Sequence, residues 1–301
     1  MSTLWGIDLG GTKIEGVVLE TSSGLNALAR PRIGTEADLG YDHIVTRVAG
    51  LLTLMESETG LPLPGKIGIG TPGAVVPSTG LMKNCNTTCL NGRPLLDDLA
   101  RALGVEVVMA NDADCFALAE ATLGAGMGYR TVFGVIMGTG VGGGIAIGGK
   151  LLRGPNGLTG EWGHMTLDPT GTECYCGRRG CVETYLSGPA VERSYQSRTG
   201  VAVNLRAIVA EAPHDLECGR TISEMCERFG QAIAQVVNLL DPDVIVLGGG
   251  AGQVPQLKTE GMLRARDHVF GPDFVTQALA PVLGDSAGVF GAAMLTGSKK
   301  D

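Results

Sequence analysis

Three observations predict an α/β fold built from two similar lobes. First, the chain repeats itself: residues 4–20, LWGIDLGGTKIEGVVLE, lie over residues 132–148, VFGVIMGTGVGGGIAIG. Aromatic meets aromatic (Trp5, Phe133), and Gly6, Gly10 and Gly16 meet Gly134, Gly138 and Gly144. A repeat at domain-sized spacing implies related lobes, because solenoid periods run only ~20–50 residues. Second, short apolar strands give way throughout to glycine turns or to helical periodicity. Third, glycine makes up 48 of 301 residues, about 16% against a usual ~7%. These glycines cluster after apolar runs with no Gly-X-Y period, so they read as turns at strand ends.

The opening strand, Leu4 to Asp8, ends in a carboxylate and turns through Gly10 and Gly11. Such a turn lets backbone N–H groups converge on phosphate; Thr12 adds a hydroxyl, Lys13 a charge, and Asp8 a ligand for a divalent cation. Ile44, Val48, Leu51 and Met55 then mark a helix, and Lys66 to Gly70 a strand running into the turn Thr71-Pro72-Gly73. Residues 83–93, KNCNTTCLNGR, form a polar loop suited to sugar hydroxyls. Pro94 opens a helix with Leu95, Leu99 and Leu103 on one face, closed by Gly104.

Val105 to Ala110 is a strand, and Asn111-Asp112 stands where it passes into a helix from about Ala113. There a carboxylate lies at the ligand-facing end of an α/β sheet and the helix dipole favours its ionised form, although both residues are also good N-caps. The repeated strand and turn follow at 132. A long amphipathic helix carries Ile222 to Leu240, with a capping box at Thr221-x-x-Glu224 and a stop at Asp241-Pro242. Val244 to Leu247 is a third strand ending in glycines, Gly248 to Gly250, placed to receive a nucleoside. Ala287 to Thr296 reads as a helix returning to the first lobe.

Several function classes are excluded. A net charge of −8 argues against a nucleic-acid partner. The N-terminus lacks a secretory pattern, and the uncharged run Val132–Gly149 holds eight glycines in hairpin order, so no membrane span is expected and a cytoplasmic place is. Gly68-x-Gly70-x-x-Gly73 and Gly138-x-Gly140-x-x-Gly143 fit a dinucleotide fingerprint without the helix it needs, and Gly149-Lys150 is followed by Leu151 where a P-loop needs Ser or Thr. Eight cysteines in such a chain point to thiols or metal. Cys174, Cys176, Cys181 and His164 make a closed tetrahedral zinc set that would pin Glu161 to His164 beside Glu183.

Asp8-Leu-Gly-Gly-Thr-Lys13, Asn111-Asp112-Ala113, Gly138-Thr-Gly-Val-Gly-Gly-Gly144, Gly160-Glu-Trp-Gly-His164, Cys174-x-Cys176-Gly177-x-x-Gly180-Cys181-x-Glu183 and Leu247-Gly-Gly-Gly250 together resemble the ROK family (repressors, open reading frames, kinases). This family is grouped with hexokinase, actin and the heat-shock chaperone ATPases. The resemblance implies two ribonuclease-H-like lobes, residues 1–115 with 286–301 and residues 116–285, around an interlobe cleft, with a small structural zinc knot. It implies an ATP-dependent hexose kinase using Mg2+, with Asp112 as general base. Asp8, Gly10, Gly11, Thr12 and Lys13 would form one phosphate loop and Gly138, Thr139 and Gly140 the other, while Gly248, Gly249 and Gly250 line the adenosine. Asn111, Asp112, Glu161, His164 and Glu183 would hold the sugar, with His164 giving one ring nitrogen to zinc and one to sugar. Residues 83–95 are most similar to fructokinase and mannokinase members, which favours phosphorylation of a free hexose at its 6-hydroxyl; N-acetylglucosamine or N-acetylmannosamine kinase is the alternative. A sugar-responsive repressor would need a DNA-binding segment ahead of the first turn, which starts at residue 8. Members are often homodimers.

Overall fold

A computed structural model describes residues 3–21, 26–271 and 273–297. The chain divides into two compact units, residues 1–119 with 150–159 and 283–301, and residues 120–149 with 160–282.

In the first unit, β1 (Thr3–Leu9) and β2 (Lys13–Glu20) form the opening hairpin, flanked by β3 (Asn26–Ala29) and β4 (Arg32–Gly34), both paired to β2. Helix α1 (Tyr41–Thr59) buries Ile44, Val48, Leu51 and Met55 as their spacing requires. β5 (Lys66–Thr71) leads to the small β6 (Ala74–Val75) and β7 (Met82–Lys83) ribbon. Helix α2 (Leu95–Leu103) follows Pro94, which stands just ahead of the helix, and ends on Gly104 at φ 67°. β8 (Glu106–Asn111) completes a mixed sheet of order β3-β2-β1-β5-β8 and runs into α3 (Asp112–Leu123).

In the second unit, β9 (Thr131–Met137) and β10 (Val141–Ile147) repeat the hairpin, and the short β11 (Lys150–Leu151) follows. Helices α4 (Glu183–Leu186), α5 (Gly188–Thr199) and α6 (Leu205–Glu211) pack with the long α7 (Leu216–Leu240). β12 (Val244–Gly248) and, after α8 (Glu260–Arg266), β13 (Gln277–Leu279) complete a sheet of order β11-β10-β9-β12-β13, in which β12 is parallel to both neighbours. The last helix, α9 (Ala287–Met294), belongs to the first unit and lies on β1 and β5.

The repeat is therefore one of structure, with a difference in register. Four residues separate the closing pair Leu9 and Ile14, whereas three separate Met137 and Val141. Gly144 consequently faces Gly134, but Gly16 faces Ile7. The expected capping box at Thr221 is inside α7: the helix starts five residues earlier, where the Asp215 side chain accepts from Cys218 N–H, and the Thr221 hydroxyl donates to the Glu217 carbonyl. The competing cap, Asp215, is six residues upstream, and Thr221 itself is spent within the helix. Residues 150–159 also pack with the first unit, where Arg153 donates to the Met109 carbonyl of β8 at 3.0 Å. Among the described residues no helix is long and apolar enough to cross a membrane, and the uncharged run at 132–149 is the β9–β10 hairpin.

Contact between α9 and the first sheet is backbone on backbone. A Cβ at Gly68 would lie 1.8 Å from the Ala292 carbonyl oxygen. Gly68→Ala is therefore expected to lower unfolding stability by about 3 kcal/mol, the upper range for overpacking, read as a lower midpoint in urea.

Candidate functional site

The parallel pairing of β1, β5 and β8 sets Asp8 beside Gly70 and Thr71 beside Asn111, so these residues stand together at the carboxyl ends of their strands. The Thr71 hydroxyl, fully buried, ties the Gly73 and Ala110 carbonyls together at 2.8 and 3.2 Å. Asn111 accepts from Asp114 N–H at 2.7 Å and so caps α3, and Asp112 follows as the first helical residue. Capping is thus Asn111's work, and its amide N–H groups remain donors for a ligand.

Asp8 is half-buried, with Gly288 of α9 against it: a Cβ there would come within 2.8 Å of its carboxylate. Burial, then the Asp112 and Glu15 carboxylates, push the Asp8 carboxyl up from 3.8 to about 6, while Lys13 and Arg32 pull it back. Asp112 reaches solvent but protein crowds it closely, and this desolvation raises its carboxyl despite the Ala113 N–H that bonds it at 2.8 Å. At the helix start the backbone N–H favours the ionised form of Asp112, as its position predicts, while lost hydration opposes it. A raised carboxylate is the stronger proton acceptor.

Sequence reasoning missed Glu15, a buried acid within the apolar middle of β2, which anchors Arg30, Arg32 at 2.6 Å and Lys13 at 3.9 Å. The odd charge in that strand was the available signal. Asn84, in the polar loop expected to suit sugar hydroxyls, is exposed at φ 56°, in the left-handed region that asparagine enters more readily than most residues. Beside Asn111 lies a cavity of about 400 Å³, lined by Thr71, Val75, Leu96, Met109 and Arg153 among others.

The second unit gathers the other predicted residues. Met137, the last residue of β9, accepts from Ala251 N–H at 2.9 Å, which sets the Gly248–Gly250 turn next to Gly138–Gly140. Glu183 spends one carboxylate oxygen on Val141 N–H at 2.8 Å. The segment Gly160–His164 lies flat on β10: a Cβ on Gly160 or Gly163 would meet the Gly143 or Val141 carbonyl at 2.2 and 2.0 Å. Between those glycines Trp162 is buried against Phe133 and donates to the Gly142 carbonyl at 2.9 Å, which fixes Glu161 and His164 on either side.

His164, Cys174, Cys176 and Cys181 place their ligand atoms within 4.8 Å of one another. Cys174 Sγ is 3.6 Å from His164 Nδ1, and Cys176 Sγ is 3.6 Å from Cys181 Sγ. With Zn–S near ~2.3 Å and Zn–N near ~2.0 Å, a tetrahedron needs edges of about 3.5–3.8 Å. Those two edges match it, and three thiols with an imidazole are donor chemistry that suits zinc. The free ring nitrogen is not open, however: His164 Nε2 lies 3.0 Å from the hydroxyl of Tyr175, itself 77% exposed. A sugar at that nitrogen would share it with, or displace, the phenol.

Residues 4–299 match the sequence model of the ROK family. The chain belongs to the ROK family. Among the relatives of this ROK protein, the N-acetylgalactosamine kinase AgaK of Shewanella sp. (strain ANA-3) is 36% identical over 300 residues, covering 97% of this chain and 96% of the relative. The N-acetyl-D-glucosamine kinase of Histophilus somni (strain 129Pt) is 33% identical, covering 97% and 98%. The solved ROK hexokinase from Thermus thermophilus superposes with a TM-score of 0.85 at 31% identity, covering 97% of each chain.

The crowding around Asp8 has a stability signature. Its carboxyl is raised on folding, so its charge costs the fold above about pH 6 and costs nothing below 3.8. Asp8→Asn should raise stability at pH 7–8 by roughly 2 kcal/mol, after allowance for partial solvent access, and this gain should vanish as the pH falls through 6 towards 3.8. Melting curves across pH 3.5–8 check it.

Proposed function

We propose that this ROK protein is an ATP-dependent kinase of N-acetylated hexosamines, N-acetylgalactosamine or N-acetylglucosamine, acting at the 6-hydroxyl. The observation that carries the reading is the placement of Asp112, an exposed carboxylate at the start of α3, one residue from Asn111 and close enough to Asp8 for its charge to be felt there. The similarity of residues 83–95 to fructokinases favoured an unmodified hexose. That preference is withdrawn, because relatives aligned over 97% of the chain act on N-acetylated sugars, and whole-chain similarity outweighs one loop. The cavity beside Asn111 supports the change: Val75, Leu96 and Met109 offer an apolar wall for an acetamido methyl.

In this reading Asp112 takes the proton from the attacking hydroxyl, and the N–H groups of Gly10–Lys13 and of Gly138–Gly140 bind the donor's phosphates. Mg2+ held through Asp8 would neutralise charge on the terminal phosphates. Asn111 on the first unit, and Glu161, His164 and Glu183 on the second, are assigned to sugar hydroxyls. Gly248–Gly250 are assigned to the adenosine. The four-residue cluster is assigned a structural zinc, whose chemistry is to crosslink the 161–183 segment. A cytoplasmic place agrees with ATP use and free thiols.

ADP release with MgATP should be fastest on N-acetylgalactosamine or N-acetylglucosamine when fructose, mannose and glucose are compared at equal concentration. Asp112→Asn should cut kcat by about 10²–10⁴-fold with little change in sugar affinity. Faster turnover of fructose, or an active Asp112→Asn, would count against the reading. Protein purified without chelator should carry one zinc per chain by metal analysis, and Cys181→Ser should lose it and melt at a lower temperature.

A further inference from the structure

The turn from Gly10 to Lys13 binds phosphate only if its N–H groups face outward, and the structure shows what sets their direction. Thr35, fully buried, donates its hydroxyl to the Gly10 carbonyl at 2.7 Å and its backbone N–H to the Thr12 carbonyl at 3.0 Å. In a planar trans peptide the carbonyl and the following N–H point in opposite directions. Drawing the Gly10 carbonyl inward therefore aims the Gly11 N–H outward, and drawing in the Thr12 carbonyl does the same for Lys13 N–H. Gly11, Thr12 and Lys13 are all exposed.

Thr35 is itself held. The next residue, Glu36, sits at φ 53°, in the left-handed region, and its carboxylate is bound by His43 Nε2 at 2.7 Å and Arg47 at 3.4 Å, both from α1. Arg47 Nε also donates to the Gly34 carbonyl at 3.0 Å. Side chains of one helix thus clamp the residues on both sides of Thr35, and a strained residue kept by such ties is characteristic of functional segments.

We infer that Thr35 is a positioning residue for the donor nucleotide: through its hydroxyl it orients the first phosphate loop, although it touches no ligand. The inference rests on the reading of Gly10–Lys13 as a phosphate loop. It separates two properties that a merely structural residue would change together, since loss of the hydroxyl weakens nucleotide binding and leaves the sugar side alone.

Calorimetric titration with MgATP, and steady-state kinetics with both substrates varied, test it on the full chain. Thr35→Val, which keeps the shape and removes the hydroxyl, should raise the MgATP Kd and the KM for ATP about tenfold, the effect of one lost hydrogen bond, with sugar KM unchanged. Thr35→Ser should restore both to within about threefold, since it keeps the donor. MgATP binding by Thr35→Val within about twofold of wild type, the span of a typical surface change, overturns the inference. So does a Thr35→Ser as impaired as Thr35→Val, which would show that the methyl group matters rather than the hydroxyl. Should Thr35→Val fail to fold, Thr35→Ala against Thr35→Ser makes the same comparison, and equal MgATP affinities refute the role. Wild-type protein that binds no MgATP removes the phosphate-loop reading itself and this inference with it, a failure recognised before any variant is compared.

Discussion

Two parallel strand pairings, β1 with β5 and β5 with β8, constrain the first unit more than any other feature. They bring Asp8 and Asp112 into one electrostatic neighbourhood, which the antiparallel β1–β2 pairing joins by setting Glu15 opposite Asp8, and burial and mutual repulsion there raise the Asp8 carboxyl to about 6. Such crowding is unfavourable for the apoprotein. It persists because the sheet register allows no other placement, and because Lys13, Arg30 and Arg32 partly offset it around Glu15. Carboxylates crowded in this way are a feature that clusters at functional sites.

Glycine has a second use that its abundance alone conceals. At Gly68, Gly160 and Gly163 the absent Cβ is what lets one stretch of backbone rest on another, α9 on β5 in one unit and the 160–164 segment on β10 in the other. Close approach of this kind leaves little freedom for the residues in between. Glu161 and His164 are therefore held by Trp162 and two glycines before any metal or sugar is considered, and Glu183 is held by the backbone of β10. Both units use the same device, an absent Cβ that lets one backbone segment rest on another.

Much was legible in the chain itself. The repeated hairpin, α1, α2, α7 and α9, the strand ends at Asp8, Asn111 and Gly248, and the clustering of His164 with Cys174, Cys176 and Cys181 follow from period, turn chemistry and spacing, which are local properties of the polymer. Family membership was legible too, because its motifs are short and contiguous.

Tertiary structure decided what depends on neighbours distant in sequence. The one-residue difference between the two hairpin turns, the start of α7 at Asp215, and the packing of residues 150–159 with the first unit are choices between local signals of similar strength, settled by packing. The raised carboxyls of Asp8 and Asp112, the phenol of Tyr175 on His164 and the hold of Thr35 on the first turn lie further out of reach. Electrostatic strength depends on dielectric and distance, and a hydrogen bond on the position of both its ends; neither exists until the chain has folded back on itself.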